Sequence, residues 1–219
     1  MLSDSDLTAL WLTVKLALIT TGTLLLLGIP LAWWLARTSC RFKFLLDAVI
    51  ALPLVLPPTV LGFYLLFVLG PKGPFGDTSL AFTFTGLIVG SVIYSLPFVV
   101  QPIQNAFAAI RREHLEVAST LGSSAVRRFF TIALPLARPG ILTGAVLGFA
   151  HTLGEFGVVL MIGGNIPGST RVVSIAIYDH VEGLNYGDAH RLSLVLLCLS
   201  FLMLIFVYGL HRKKSLLLS

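Results

Sequence analysis

Long apolar runs separated by short charged segments dominate the chain. Five of them predict helices, over residues of about 10–36, 45–69, 82–107, 140–162 and 192–210. Each reaches or approaches the roughly 20 apolar residues that a helix needs to cross a hydrocarbon core. Helix is also the form that satisfies every backbone group within one segment there. The longer runs must tilt or bend. Pro30, Pro53, Pro57, Pro58, Pro97 and Pro102 lie inside or at the ends of these runs, so kinks are expected at them. The pattern predicts an all-α, polytopic membrane protein, with residues 1–219 forming one transmembrane domain of five helices.

Composition agrees with that reading. The chain is 56% hydrophobic and 11% charged, and its mean hydropathy is +0.94. A soluble domain carries roughly a quarter charged residues, so the composition argues against a soluble enzyme and excludes a disordered chain. The net charge of +5 would suggest nucleic acid in a soluble protein. Here it reads as the basic loops of a membrane protein, with lipid and no nucleic acid as partner. Arg37, Arg41, Lys43, Arg111, Arg112, Arg127, Arg128, Arg138, Arg212, Lys213 and Lys214 fall on one side of the predicted spans. Lys15, Lys72, Arg171 and Arg191 fall on the other, beside Asp4, Asp6, Asp77, Asp179, Glu182 and Asp188. The basic side faces the cytoplasm, which puts the N-terminus outside and the C-terminus inside. The acidic start, Met-Leu-Ser-Asp-Ser-Asp, does not read as a signal peptide. Cys40 and Cys198, far apart, suggest neither a disulfide nor a metal site.

The segment 111–138 is more than a connector. Leu115, Ala118 and Leu121 recur every three residues and give a helix one apolar face. Gly122 stops that helix, and Ser123 or Ser124 can cap a second one carrying Arg127, Arg128, Phe129, Phe130 and Ile132. Pro135 and Pro139 punctuate the return to the membrane. Two readings fit a short helix-turn-helix of this kind: an element that docks a partner, or an amphipathic loop resting on lipid headgroups.

Glu116-x-Ala118, then Gly122, then Ile132-x-Leu134-Pro135 resembles the EAA loop of ABC import permeases. The family's pattern is Glu-Ala-Ala, three residues, Gly, nine residues, Ile-x-Leu-Pro, and Val117 is the one departure. The resemblance widens over Asp47 to Gly62, Leu153-Gly154-Glu155-Phe156-Gly157 and Gly164-Asn165-Ile166-Pro167-Gly168. These stretches are similar to the molybdate and sulfate permeases, and most to the molybdate or tungstate branch. The resemblance implies a type I ABC-importer permease fold in the inner membrane and a homodimer. It also implies two copies of a separate ATP-binding ATPase subunit and a periplasmic molybdate-binding protein. It places ATPase coupling on Glu116, Ala118, Gly122, Ile132, Leu134 and Pro135. A sulfate or thiosulfate permease is the nearest alternative, and a stand-alone secondary transporter a more distant one.

No nucleotide-binding G-x-x-x-x-G-K-[ST] stretch, triad or nucleophile elbow occurs, so the chain is expected to be non-catalytic and free of cofactors. The five histidines are scattered; Asp179-His180 with Asp188-x-His190 makes a weak zinc pattern, and solvated loop residues are the better reading. Glu155 is the sharpest single residue. A carboxylate at a helix centre costs about 2.5–3.5 kcal/mol on insertion scales, so it should face the bundle interior or a water path. Counted down a continuous helix, it sits roughly 10 Å below the outer end of the fourth span, and Lys15 roughly 8 Å below that of the first. The matching depths suggest a Lys15–Glu155 gate pair, with His151 on the same helix face as a third member. Equally, Lys15 snorkels to the interface and Glu155 bonds backbone amides. Gly140, Gly144 and Gly148 form a ladder that suits either packing on a neighbouring span or a dimer seam. The segment from Thr170 to Gly183 is expected to lie on the outer surface as a short helix supporting a docked binding protein.

Overall fold

The computed structural model describes residues 2–74, 76 and 79–215, with side chains described through residue 205. Asp77, and the side chains of Arg212, Lys213 and Lys214 used in the charge count, lie outside the described residues. The described residues form helices and no strand.

Helix α1 (Asp4–Arg37) opens with a capping box, in which the Ser3 hydroxyl accepts the Asp6 N–H and the Asp6 carboxylate accepts the Ser3 N–H. Its 34 residues span about 51 Å, well beyond a hydrocarbon core. Helix α4 (Phe84–Ala108) starts on Thr83, whose hydroxyl accepts the Gly86 N–H, and runs on through Pro97 and Pro102. These two helices and α8 (Arg138–Leu153) make the centre of the molecule. Leu24, Ala32 and Leu35 of α1 pack with Val99, Val100, Ile103 and Phe107 of α4, all buried.

The glycine ladder faces inward. A Cβ on Gly140 would lie 2.3 Å from the Ala106 Cβ, one on Gly144 2.8 Å from the Val99 carbonyl oxygen, and one on Gly148 2.4 Å from a Val99 methyl. Bare backbone at these steps lets α8 lie against α4 of the same chain. Of the two readings of this ladder, packing on a neighbouring span is the one the structure shows.

Two predicted spans are not single helices. Residues 45–69 form α2 (Lys43–Val55) and α3 (Pro58–Leu69), bent by 111° at Leu56–Pro57. Pro57 and Pro58 donate no backbone hydrogen bond, and the extended ψ of Leu56 turns the chain out of the helical path. Residues 140–162 form α8, a break at residues 154–156, and α9 (Gly157–Gly163). At 16 residues, α8 is roughly 24 Å long, less than a core thickness. Upstream of α8, α5 (Arg112–Thr120), α6 (Ala125–Arg128), a π-helical turn (Phe129–Ala133) and α7 (Leu134–Leu136) build the polar connection, with a 69° bend into α8. Among the described residues there are thus three helices long and apolar enough to cross a membrane, or up to five spans if each bent pair is one.

Helices α10 (Val173–Glu182) and α11 (Tyr186–Ser215) complete the fold. Helix α10 packs on α1 and α11, with Val173, Ile175 and Ala176 buried, so the predicted short helix is present. Helices α2, α3 and α11 lie at the periphery and expose Val55, Phe63, Tyr64, Phe67, Phe201 and Leu202. A continuous apolar exterior of this extent fits lipid as solvent.

Candidate functional site

Two regions gather the residues singled out by sequence. The first is the 111–138 connection. Its helix α5 starts at Arg112, four residues before Glu116, and has no buried residue. Gly122 ends it with φ of +78°, a left-handed conformation that glycine adopts freely, and the Ser123 N–H closes back on the Ala118 carbonyl. Of the two serines, Ser124 caps α6, its hydroxyl accepting the Arg127 N–H at 3.2 Å. Val117, Leu121, Val126 and Phe130 stand largely exposed on this element, an unusual density of bare apolar side chains between polar neighbours.

The second half of the motif is anchored. Pro135 cannot donate to the carbonyl one turn back, and the backbone widens just before it: the Leu134 N–H bonds to the Phe129 carbonyl, five residues away. Phe129 on this turn meets Trp33 of α1 at 5.5 Å between ring centroids and Phe107 of α4 at 6.1 Å. Leu134 packs on the same core. Glu116, Ala118 and Gly122 thus belong to a lightly held helix and its stop, while Leu134 and Pro135 belong to the fixed end. Ile132 is half-buried on the π-turn between them.

The second region is a cavity of about 600 Å³ where the two broken helices meet, lined by Pro58, Thr59, Tyr94, His151, Glu155 and Met161 among others. Gly157 lets α9 approach α3: a Cβ there would lie 2.7 Å from the Pro58 Cβ. Glu155 sits in the break between α8 and α9, not within a helix, and is 4% exposed. The Ser174 hydroxyl holds the break by donating to the Glu155 carbonyl at 2.6 Å. Neither Glu155 carboxylate oxygen has a hydrogen-bond partner, and the nearby Ser91 hydroxyl stops short of bonding geometry.

The Lys15–Glu155 pair is not formed in this structure. Lys15 is exposed and its Nζ lies 4.8 Å from the centroid of the Phe84 ring, in the first turn of α4. Glu155 lies near Ser91 and Tyr94 of the same helix, about 10 Å or more further along it. The matching depths assumed a continuous fourth helix, and the break displaces Glu155 from that path. Nor do backbone amides bond the carboxylate.

His151 does reach the same cavity, though not through helical spacing. Its Nδ1 shares a 2.9 Å hydrogen bond with the Ser95 hydroxyl, and its ring stacks on Phe98 with centroids 3.9 Å apart. His180 is likewise no solvated loop residue: it lies on α10 and its Nε2 bonds the buried Asp6 carboxylate at 2.9 Å. Among the described residues no three metal-ligating side chains cluster.

Sequence reasoning missed several positioning residues. Thr13 on α1 donates to its own helix and accepts the Val173 N–H at 2.8 Å, seating the start of α10. Gln104 donates to Asp47 at 3.1 Å and ties α2 to α4. The Thr13 link crosses 160 residues of chain, and no local pattern encodes it.

Residues 28–215 match the family described as binding-protein-dependent transport system inner membrane component. The chain is 58% identical over 221 residues to the molybdenum transport system permease protein ModB of Azotobacter vinelandii, covering 98% of each chain. It is 37% identical over 220 residues to ModB of Escherichia coli K12, covering 96% of each. In fold it is similar to a bacterial ABC transporter involved in the import of the acidic polysaccharide alginate. That likeness has a TM-score of 0.81 at 16% identity, over 96% of this chain and 80% of that one. These likenesses identify the chain as a member of the family of binding-protein-dependent transport system inner membrane components.

Proposed function

We propose that this chain is the membrane-spanning permease subunit of an ATP-driven ABC importer that carries molybdate, with tungstate as its nearest analogue. The observation that carries the reading is the end-to-end likeness to a molybdenum transport permease at 58% identity. In this reading residues 1–219 are one transmembrane domain of five spans in the inner membrane, the N-terminus outside and the C-terminus inside. Two copies form the pathway, two ATPase subunits dock on the cytoplasmic side, and a periplasmic binding protein delivers the anion. The chain itself catalyses nothing; hydrolysis belongs to the ATPase.

The coupling element supports a division of labour. The exposed Val117, Leu121 and Val126 suit insertion into a partner's groove, and Glu116 adds a charge-assisted contact. Phe129, Leu134 and Pro135 pass the displacement on, because Phe129 is wedged between Trp33 and Phe107 at the ends of α1 and α4. Closure of the ATPase pair thereby tilts the central helices and opens the pathway outward, and hydrolysis resets it. The cavity holding Glu155 and His151 lies where both broken helices meet, a place where interrupted helices line the path of many transporters. Lys15, over Phe84, marks the outer end of the same bundle.

Copurification tests the docking reading. A tagged chain expressed with its ATPase should retain it, and Glu116→Ala should lower both the ATPase recovered and anion uptake at least tenfold, a loss in line with a charge-assisted contact of about 1.5–3 kcal/mol. Unchanged recovery and uptake would contradict it.

A further inference from the structure

Beside the coupling helix lies a second cavity, of about 510 Å³. Its walls include Trp33 and Arg37 from the end of α1, Arg112 and Glu116 from α5, and Arg128 from α6. Three guanidinium groups against one carboxylate leave an excess of two positive charges. Among the described residues, Glu116 forms no ion pair with any of the three arginines.

Arg37 and Arg128 are held in place by groups that do not neutralise them. Arg37 donates to the carbonyls of Phe107 and Ile110 at 3.2 and 3.1 Å, and its guanidinium lies over the Trp33 ring. Its Nε–H is buried with no partner. Arg128 donates to the Ser123 carbonyl at 2.7 Å. Arg112 lies close enough to Arg37 for the two positive charges to interact. Helix α5 itself packs chiefly on α6 and buries no residue, and the cavity is walled by α5 on one side and the end of α1 on another.

We infer that this pocket binds a dianionic tetrahedral oxyanion group, a phosphate or its chemical like, which bridges α1 to the coupling helix. Planar guanidinium forks converging from three elements are the donor set that such a group selects. Bound there, the anion ties Arg112 and Arg128 to the fixed Arg37 and sets the angle at which α5 meets its partner. Glu116 opposes the anion from the same wall, so anion binding and engagement of Glu116 by a partner are coupled. The inference goes beyond the transport reading and is independent of the cargo. The group has two possible sources, a free anion in the cytoplasm or the phosphate of an anionic lipid.

The test uses the full-length chain with Trp11→Phe and Trp34→Phe, which leaves Trp33 on the pocket wall as the fluorescent reporter. In one arm, lipid-free protein in neutral detergent is titrated with inorganic phosphate or molybdate at constant ionic strength, with chloride as control. In the other, phosphatidylcholine nanodiscs are compared with ones containing phosphatidic acid. A saturable Trp33 response in either arm, absent with chloride or phosphatidylcholine alone, is the expected result, and the responding arm identifies the source. Arg112→Gln, on a helix with nothing buried, should weaken binding about tenfold, and Glu116→Gln should tighten it several-fold. No saturable response in both arms overturns the proposal and leaves the arginines to a carboxylate of the docked partner. A response that Arg112→Gln does not weaken overturns it as well.

Discussion

Gly122 shows how one residue sets the geometry of the turn between α5 and α6. Its φ of +78° is left-handed, yet a Cβ there would meet nothing within 4 Å. Substitution is therefore penalised by backbone conformation and not by crowding. Gly122→Ala should destabilise the turn by about 1–2 kcal/mol, while Gly122→Asn, which visits that region more readily, should cost less. Hydrogen exchange of α5 and uptake measure the difference, and identical behaviour of the two variants would refute the conformational account. The glycine was legible in sequence because a helix stop before a serine cap has a local signature. Glu155 was legible only as an anomaly: its place in a break, and the Phe84 partner of Lys15, depend on helix registers that no spacing rule supplies. The Asp6–His180 bond, 174 residues apart in sequence, was invisible for the same reason.

At the scale of elements, hydropathy found the apolar runs and misjudged their continuity. A window of apolar residues reads the same whether the helix is straight or folded by 111° at Leu56–Pro57, because mean hydropathy depends on composition and not on the path of the chain. Proline predicted a kink there but not its size, nor that α3 seats against α9 through Gly157 and Gly62. The glycine ladder of α8 allows a graded test. The contact at Gly140 includes the Pro102 carbonyl oxygen at 2.7 Å, whereas that at Gly148 is a Val99 methyl, which can rotate away. Gly140→Ala should thus lower stability by more than Gly148→Ala, within the range of about 1–3 kcal/mol for overpacking. Thermal unfolding in detergent ranks the two, and the reverse order would show that α8 does not rest on α4 as described.

For the whole molecule, α1, α4 and α8 carry the core, and the breaks at residues 56–57 and 154–156 border the cavity that holds Glu155. The apolar exterior and the uneven distribution of arginine both follow from lipid as solvent. Orientation is open to direct measurement in a variant lacking Cys40 and Cys198. Lys72→Cys should react with an impermeant maleimide on intact cells, and Arg111→Cys only after permeabilisation; the opposite pattern would invert the topology. The all-helical class and the helix-turn-helix at residues 112–128 were readable from sequence because they rest on composition and fixed local spacing. The cavity at the helix breaks was not, since it exists only where α3, α4, α8 and α9 converge.

The most direct test of the central claim is uptake of radiolabelled molybdate by cells lacking this chain, with and without its restoration. Uptake that depends on the chain and yields to excess tungstate but not to sulfate is the predicted result. Uptake indifferent to the chain, or displaced by sulfate as readily as by tungstate, would contradict molybdate as its cargo.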